Sequence, residues 1–287
     1  GYPPLMYIDP INYCNLRCEV CPTGQRILGR ENGRMSLRLF EALVDEVGPY
    51  VYFLNLYNWG EPLLHPQIFD MIEYASNAGT SVRVSTNLNL LKESDIPRLI
   101  SSGLEELLVD FDGSTQEVYE QYRVGGDLNV VVDNIRRIVA QKQKMRSPFP
   151  LVRARALVTR INESQIPEIA KLAESIGVDR FETSPIYVNV NRSNDVDKWL
   201  PKTASRRLRR TLRPETPKKC DQLWLNLTIS WDGGVFPCCW FHQQSYDFGN
   251  IAEDQNLSYI WNNEHFIKTR SYLAGKTSIP PSTICAK

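Results

Sequence analysis

The sequence predicts an α/β fold, a partial (β/α)6 barrel followed by a small C-terminal domain. Three observations carry that expectation: six short β-rich runs alternate with amphipathic helical stretches, the alternation stops near residue 190, and a hairpin signal with clustered cysteines comes after it. Strands alternating with helices of this length imply βα units and a parallel sheet. Six units fall short of a closed eight-unit barrel, which typically needs about 250 residues.

The β-rich runs are LMYID at 5–9, VYFLNLYNW at 51–59, SVRVSTN at 81–87, ELLVDFDG at 106–113, LVRARALVT at 151–159 and RFETSPIYV at 180–188. After the first of them, SLRLFEALVDEVG opens on Ser36, whose hydroxyl suits the N-cap because it accepts an orphan amide of the first turn. HPQIFDMIEYASNAG ends on Gly79, the residue type that tolerates the left-handed position past a helix end. Residues 1–190 are therefore expected to form the barrel. Residues 191–219 read as a linker: the stretch 197–219 carries nine basic residues, two acids and three prolines. It is either a solvated connection or a contact surface for an anionic substrate or an acidic electron donor. In the C-terminal domain, 220–287, DQLWLNLTISWDGGVFPCCW reads as two strands around WDGG, since Asp-Gly supplies the positive φ angles of a tight turn.

With 42% hydrophobic residues in 287, and 33 basic against 33 acidic side chains, the chain is an ordinary globular protein able to bury a large core. Zero formal charge removes the electrostatic case for nucleic acid or an acidic membrane as partner. No apolar run approaches the roughly 18 residues of a spanning helix. The opening GYPPLMYIDP has no initiator Met, basic stretch or apolar signal region, so a trimmed start of a cytoplasmic protein is expected. Seven cysteines, an odd number, argue against a disulfide framework and for metal binding or catalysis.

Three of the seven, Cys14, Cys18 and Cys21, share the loop after the first strand, the end at which parallel sheets of this kind collect their chemistry. Spaced C-x3-C-x2-C, they can aim their sulfurs at a common centre. A structural zinc ion wants four closed ligands, usually from two separated pairs. A [4Fe–4S] cubane held by three thiolates keeps one iron open to nitrogen and oxygen ligands. A zinc site completed by a distant residue, or three unconnected thiols, are the alternatives.

CNLRCEVC resembles the signature loop of the radical S-adenosylmethionine (radical SAM) superfamily, whose partial (β/α)6 barrel agrees with the six strands. The resemblance implies that SAM chelates the open iron, and that one-electron reduction breaks its sulfonium bond to give a 5′-deoxyadenosyl radical. It also implies site residues. Val20 would sit near the adenine. WGEP at 59–62 resembles the GGEP motif that holds the methionyl amino group through Gly60, Glu61 and Pro62, with Trp59 in place of the first glycine. Ser85, Thr86 and Asn87 fall where ribose and carboxylate contacts are expected; Asp112, in DFDG, is expected to face substrate. Arg153 or Arg155 would meet the SAM carboxylate through a bidentate pair, the outer face being the alternative for either.

The C-terminal region resembles the SPASM and twitch extensions of the same superfamily, which hold auxiliary clusters. Cys220, twelve residues, Gly233, four residues and Cys238 suit the pattern C-x(9–15)-G-x4-C, and Cys285 follows. Three such cysteines imply one auxiliary [4Fe–4S] cluster, with a fourth ligand expected three positions after Cys285. A flavodoxin- or ferredoxin-type electron donor is implied as well.

By the same resemblance the expected reaction is hydrogen abstraction next to O or N of a polar small molecule, aminocyclitol or sugar, ending in epimerisation or dehydrogenation. Cys239, spare beside Cys238, is the expected hydrogen-atom donor of an epimerase, unless it is simply a buried apolar thiol. A peptide maturase is the second expectation, set lower because the first strand begins by residue 5 and leaves no room for an N-terminal peptide-binding domain. A non-catalytic iron–sulfur electron carrier is the third.

Overall fold

The computed structural model describes residues 1–186, 188, 196–203, 220–253 and 256–286. Most of the expected linker, 191–195 and 204–219, lies outside the described residues. The chain forms two compact units, one of Gly1–Tyr13, Ile27–Val82 and Arg213–Lys287 and one of Cys14–Arg26 and Arg83–Leu212.

In the first unit, β1 (Leu5–Ile8) pairs in parallel with β2 (Phe53–Asn55), Leu5 beside Phe53. Between them runs α1 (Leu37–Val47), and after them α2 (Ile68–Asn77). The Ser36 side chain accepts from Leu39 N, and Gly79 follows α2 with φ +83°, as their residue types lead one to expect. Phe40, Leu43, Val44 and Val47 of α1 and Met71, Ile72 and Ala75 of α2 are buried, the stripes a 3.6-residue period puts on one helix face. Met6 and Ile8 of β1 are fully buried, whereas Tyr7 between them lies on the other, half-buried face.

The second unit contains α3 (Ile96–Ser101), β4 (Glu106–Asp110), α4 (Gln116–Tyr122), α5 (Leu128–Met145), β5 (Leu151–Val158), α6 (Ile166–Ser175), β6 (Arg180–Pro185) and α7 (Val196–Trp199). The strand before them, β3 (Ser81–Thr86), pairs in parallel with β4, β4 with β5, and β5 with β6. Alternation sorts these strands into two faces. Leu107, Val109, Val152, Ala154 and Ala156 are fully buried on the first, while Arg83, Ser85, Glu106, Asp110, Arg153, Arg155 and Glu182 lie on the second. Among the described residues β6 pairs only with β5, so the sheet stays open and the six βα units make a partial barrel.

The second strand is shorter than its sequence run: β2 covers three residues of the nine at 51–59, because after Asn55 the chain leaves the ladder and turns into Trp59–Pro62. In the C-terminal segment, α8 (Gln222–Leu225) leads into β7 (Asn226–Ile229), which pairs antiparallel with β8 (Gly234–Phe236) across 230–233; β9 (Gly249–Asn250), α9 (Leu257–Trp261) and α10 (Glu264–Leu273) follow. Gly233 takes φ +87° in that turn. β7 also pairs in parallel with β1, Leu5 beside Asn226. No helix among the described residues is long and apolar enough to cross a membrane.

Candidate active site

In the second unit, Cys14, Cys18 and Cys21 stand on one loop as free thiols. The loop is anchored by an apolar cluster of Leu16, Cys18, Tyr122, Ile186, Trp199 and Leu200, against which Cys14, Val20 and Cys21 also pack. Gly24 lets the loop fold back on itself, since a Cβ there would lie 2.4 Å from the Cys18 carbonyl oxygen. Leu16 N donates to Cys14 Sγ at 3.4 Å and the Asn87 amide approaches the same sulfur at 3.7 Å. Burial pushes the Cys18 thiol up to about 11, with the Arg123 guanidinium pulling the other way.

Ser85, Thr86 and Asn87 end β3 and are all buried. The Thr86 hydroxyl accepts from Leu88 N at 2.9 Å, and Leu88 takes φ +57°, a left-handed turn that the Asn134 amide of α5 steadies by donating to Leu88 O at 2.9 Å. Arg155 donates to Asp110 Oδ1 at 2.8 Å and reaches Ser85 Oγ at 3.4 Å. Arg153 stands two positions back on the same face and is engaged by Glu106 and Glu182. The two arginines thus share a face, because i and i+2 of a strand point the same way.

Asp112, expected to face substrate, sits in a buried charged set. Asp112 is 1% exposed, its Oδ1 accepts from Leu157 N at 2.6 Å and its Oδ2 pairs with Arg123 Nε. Burial raises its carboxyl above the usual range, partly opposed by Arg123. For Asp110 burial pushes the same way, but Arg123 and Arg155 outweigh it and hold the carboxyl below that range. Arg123, which the sequence reading passed over, is the hub of this buried set. Only its place just after α4, eleven residues from Asp112, could have hinted at it.

In the first unit, Gly60, Glu61 and Pro62 form a turn that leads into a short 3-10 helix, Pro62–Leu64. A Cβ on Gly60 would lie 1.7 Å from Ile11 O, so only glycine fits. Glu61 N donates to Tyr13 O at 3.0 Å, and the Glu61 carboxylate accepts from Leu63 N at 3.1 Å. Behind the turn, Asp9 Oδ1 accepts from Trp59 N at 3.3 Å and Gly60 N at 3.2 Å. Burial drives the Asp9 carboxyl up to about 7, against those two amides and the more distant Arg30.

Asp9 therefore keeps its proton to higher pH in the folded protein than its ordinary 3.8. Its contribution to stability is complete below that ordinary value and is lost as pH rises through about 7. Asp9→Asn is expected to flatten the fall of the urea midpoint between about pH 5 and about pH 7. An unchanged slope would show that other groups set it.

Also in the first unit, Cys220, Cys238 and Cys285 are free thiols near enough for their charges to interact. Burial raises Cys238 far above the usual thiol range and Cys285 to about 12. Cys239 lies in the turn after β8, not on a strand; burial raises it to about 11, and the Tyr7 hydroxyl is hydrogen-bonded to it.

Thiolates are the natural ligands of iron–sulfur clusters, and both sets consist of free cysteines; burial raises the thiols of Cys18 and Cys238, so metal uptake there releases protons. Among the described residues no three His, Cys, Asp or Glu side chains are arranged for a single metal ion. A cubane instead spreads its ligands over several irons, which suits sulfurs anchored along a loop.

Comparison with known proteins gives two family matches: the Radical SAM superfamily over residues 8–173 and the SPASM iron–sulfur cluster-binding domain over 220–287. A tungsten-containing aldehyde ferredoxin oxidoreductase cofactor-modifying protein of Pyrococcus furiosus is 26% identical over a 317-residue alignment that covers 98% of this chain and 86% of that protein. A mycofactocin maturase, MftC, of Mycobacterium tuberculosis is 27% identical over 165 residues, 57% of this chain and 40% of the maturase. SuiB of Streptococcus suis, solved with S-adenosylmethionine, shares the fold with a TM-score of 0.72 at 17% identity, over 92% of this chain and 66% of that one.

Proposed function

The chain belongs to the radical SAM superfamily, and from that membership we propose that it abstracts hydrogen from a C–H next to O or N of a polar small molecule of aminocyclitol or sugar type. As a radical SAM enzyme with a SPASM domain it uses a [4Fe–4S] cluster, SAM and an auxiliary iron–sulfur cluster. When bound, the cluster and SAM supply a hydrogen-abstracting radical after one-electron reduction.

This chain's residues divide the remaining work. Cys14, Cys18 and Cys21 hold the first cluster; Cys220, Cys238 and Cys285 hold the auxiliary one. Gly60, Glu61 and Pro62 hold the methionyl amino group and Val20 flanks the adenine. Ser85, Thr86 and Asn87 take the ribose and carboxylate, with Arg155 better placed than Arg153 because it is the one that reaches Ser85. Cys239 donates a hydrogen atom: its S–H bond breaks, a C–H bond forms on the opposite face of the substrate carbon, and a flavodoxin- or ferredoxin-type donor returns the electron while solvent returns the proton. Barrel at 1–190, linker at 191–219 and auxiliary domain at 220–287 remain the proposed division.

The observation that carries the radical reading is the three-cysteine loop packed on one apolar cluster. The polar substrate is supported by the charged strand face that presents Ser85, Asp110 and Arg155. A second reading, modification of a peptide or of a cofactor, is favoured by similarity to a PqqA peptide cyclase of Bradyrhizobium diazoefficiens and to the cofactor-modifying protein of Pyrococcus furiosus. Assaying 5′-deoxyadenosine with reductant and panels of aminocyclitols, amino sugars and precursor peptides decides between them. Stimulation by an aminocyclitol, with one solvent deuterium at the inverted carbon in D2O, is expected; stimulation by peptides alone would replace the small-molecule reading with the second.

A further inference from the structure

Trp59 departs from the glycine of the GGEP motif, and its side chain does what no glycine can. Its indole Nε1 donates to Phe241 O at 3.0 Å, and its ring meets the His242 ring edge-on, 5.3 Å between centroids. With its amide oriented to satisfy both neighbours, Asn58 donates to Cys239 O at 3.3 Å. His242 is itself tied down, Nδ1 to Leu28 O at 2.8 Å. On the other side, the backbone of the same residue is clamped, Trp59 N and Gly60 N both donating to the buried Asp9 carboxylate. One residue therefore binds the Gly60–Pro62 turn by its backbone and the 239–242 segment by its side chain.

From this geometry we infer that Trp59 is a positioning residue that couples occupancy of the Gly60–Pro62 turn to the order of the segment carrying Cys238 and Cys239. The inference rests on the proposed assignment of the methionyl group to that turn. Its physical basis is linkage: a ligand that fixes the turn fixes the indole, and the indole fixes the carbonyl of Phe241 only while its N–H is present. By reciprocity, ordering of the cysteine segment favours ligand at the turn. A glycine in its place leaves the two segments without this bond.

Hydrogen exchange read by mass spectrometry on the iron-loaded protein, with and without SAM, tests the coupling. In the wild type, SAM is expected to slow exchange both at 59–64 and at 239–243, the latter about fivefold, which corresponds to about 1 kcal/mol for one hydrogen bond. Trp59→Gly is expected to keep the protection at 59–64 and lose it at 239–243. Trp59→Phe keeps an aromatic ring against His242 but removes the donor, and is expected to lose most of the distal protection; it also serves if the glycine variant fails to fold. Distal protection of wild-type size in Trp59→Phe, or none in the wild type while 59–64 is protected, would overturn the coupling. Absence of protection at 59–64 in wild-type protein that still binds SAM would instead overturn the assignment of SAM to that turn.

Discussion

Replacing Cys14, Cys18 and Cys21 together by alanine is expected to abolish 5′-deoxyadenosine formation and to lower the iron content by about four per chain. The three thiols share one loop, and no other side chain on that loop offers a soft donor. The auxiliary set stands on other elements, so its four irons should remain and the protein should keep a cubane absorption near its usual intensity. Iron analysis and product chromatography under dithionite measure both effects. SAM cleavage that survives in the triple variant would remove the loop from the account of this enzyme.

Removal of the Arg123 guanidinium, as in Arg123→Met, is expected to destabilise the protein by about 3–5 kcal/mol, the range seen when one partner of a buried ion pair is deleted. Arg123 pairs with Asp110 and Asp112 together, and all three side chains are nearly shut off from water. Without that cation the buried Asp112 carboxylate loses its ion-pair partner while Asp110 keeps Arg155, so Asp112 must take up a proton or stay stranded. The loss should therefore shrink as pH falls and the carboxylates protonate. Asp112→Asn combined with Arg123→Met should recover part of the stability by removing the stranded charge, since Asp110 keeps Arg155. Urea unfolding at two pH values reads all of this; a loss below about 1 kcal/mol for Arg123→Met would mean that water reaches the set and screens it.

The same set shows where sequence reading of the site stopped. Asp112 ends the fourth strand run, the position from which acids of α/β folds often reach a substrate, and nothing local distinguishes it from one that does. What the sequence did not show is that Asp112 pairs with Arg123, just after α4, and accepts from an amide of β5. The cysteine motifs were legible because the C-x3-C-x2-C and Cys220–Gly233–Cys238 spacings are written in short separations that folding cannot rearrange. Val20 beside them, expected near the adenine, packs on the apolar cluster that anchors the loop.

Period and spacing are properties of the chain, and they determined the alternation of βα units, the Ser36 cap, the glycine after α2 and the C-x3-C-x2-C loop, because each arises from contacts within one element or one turn. Tertiary structure alone decided that β7 lies in parallel beside β1, that Asp9 holds amides 50 positions away, and that the Trp59 indole meets Phe241 across 182 positions. Those contacts depend on the angles at which finished elements pack. A buried carboxylate or indole N–H takes whichever partner that packing delivers, since leaving it unpaired costs more than the bond is worth in water.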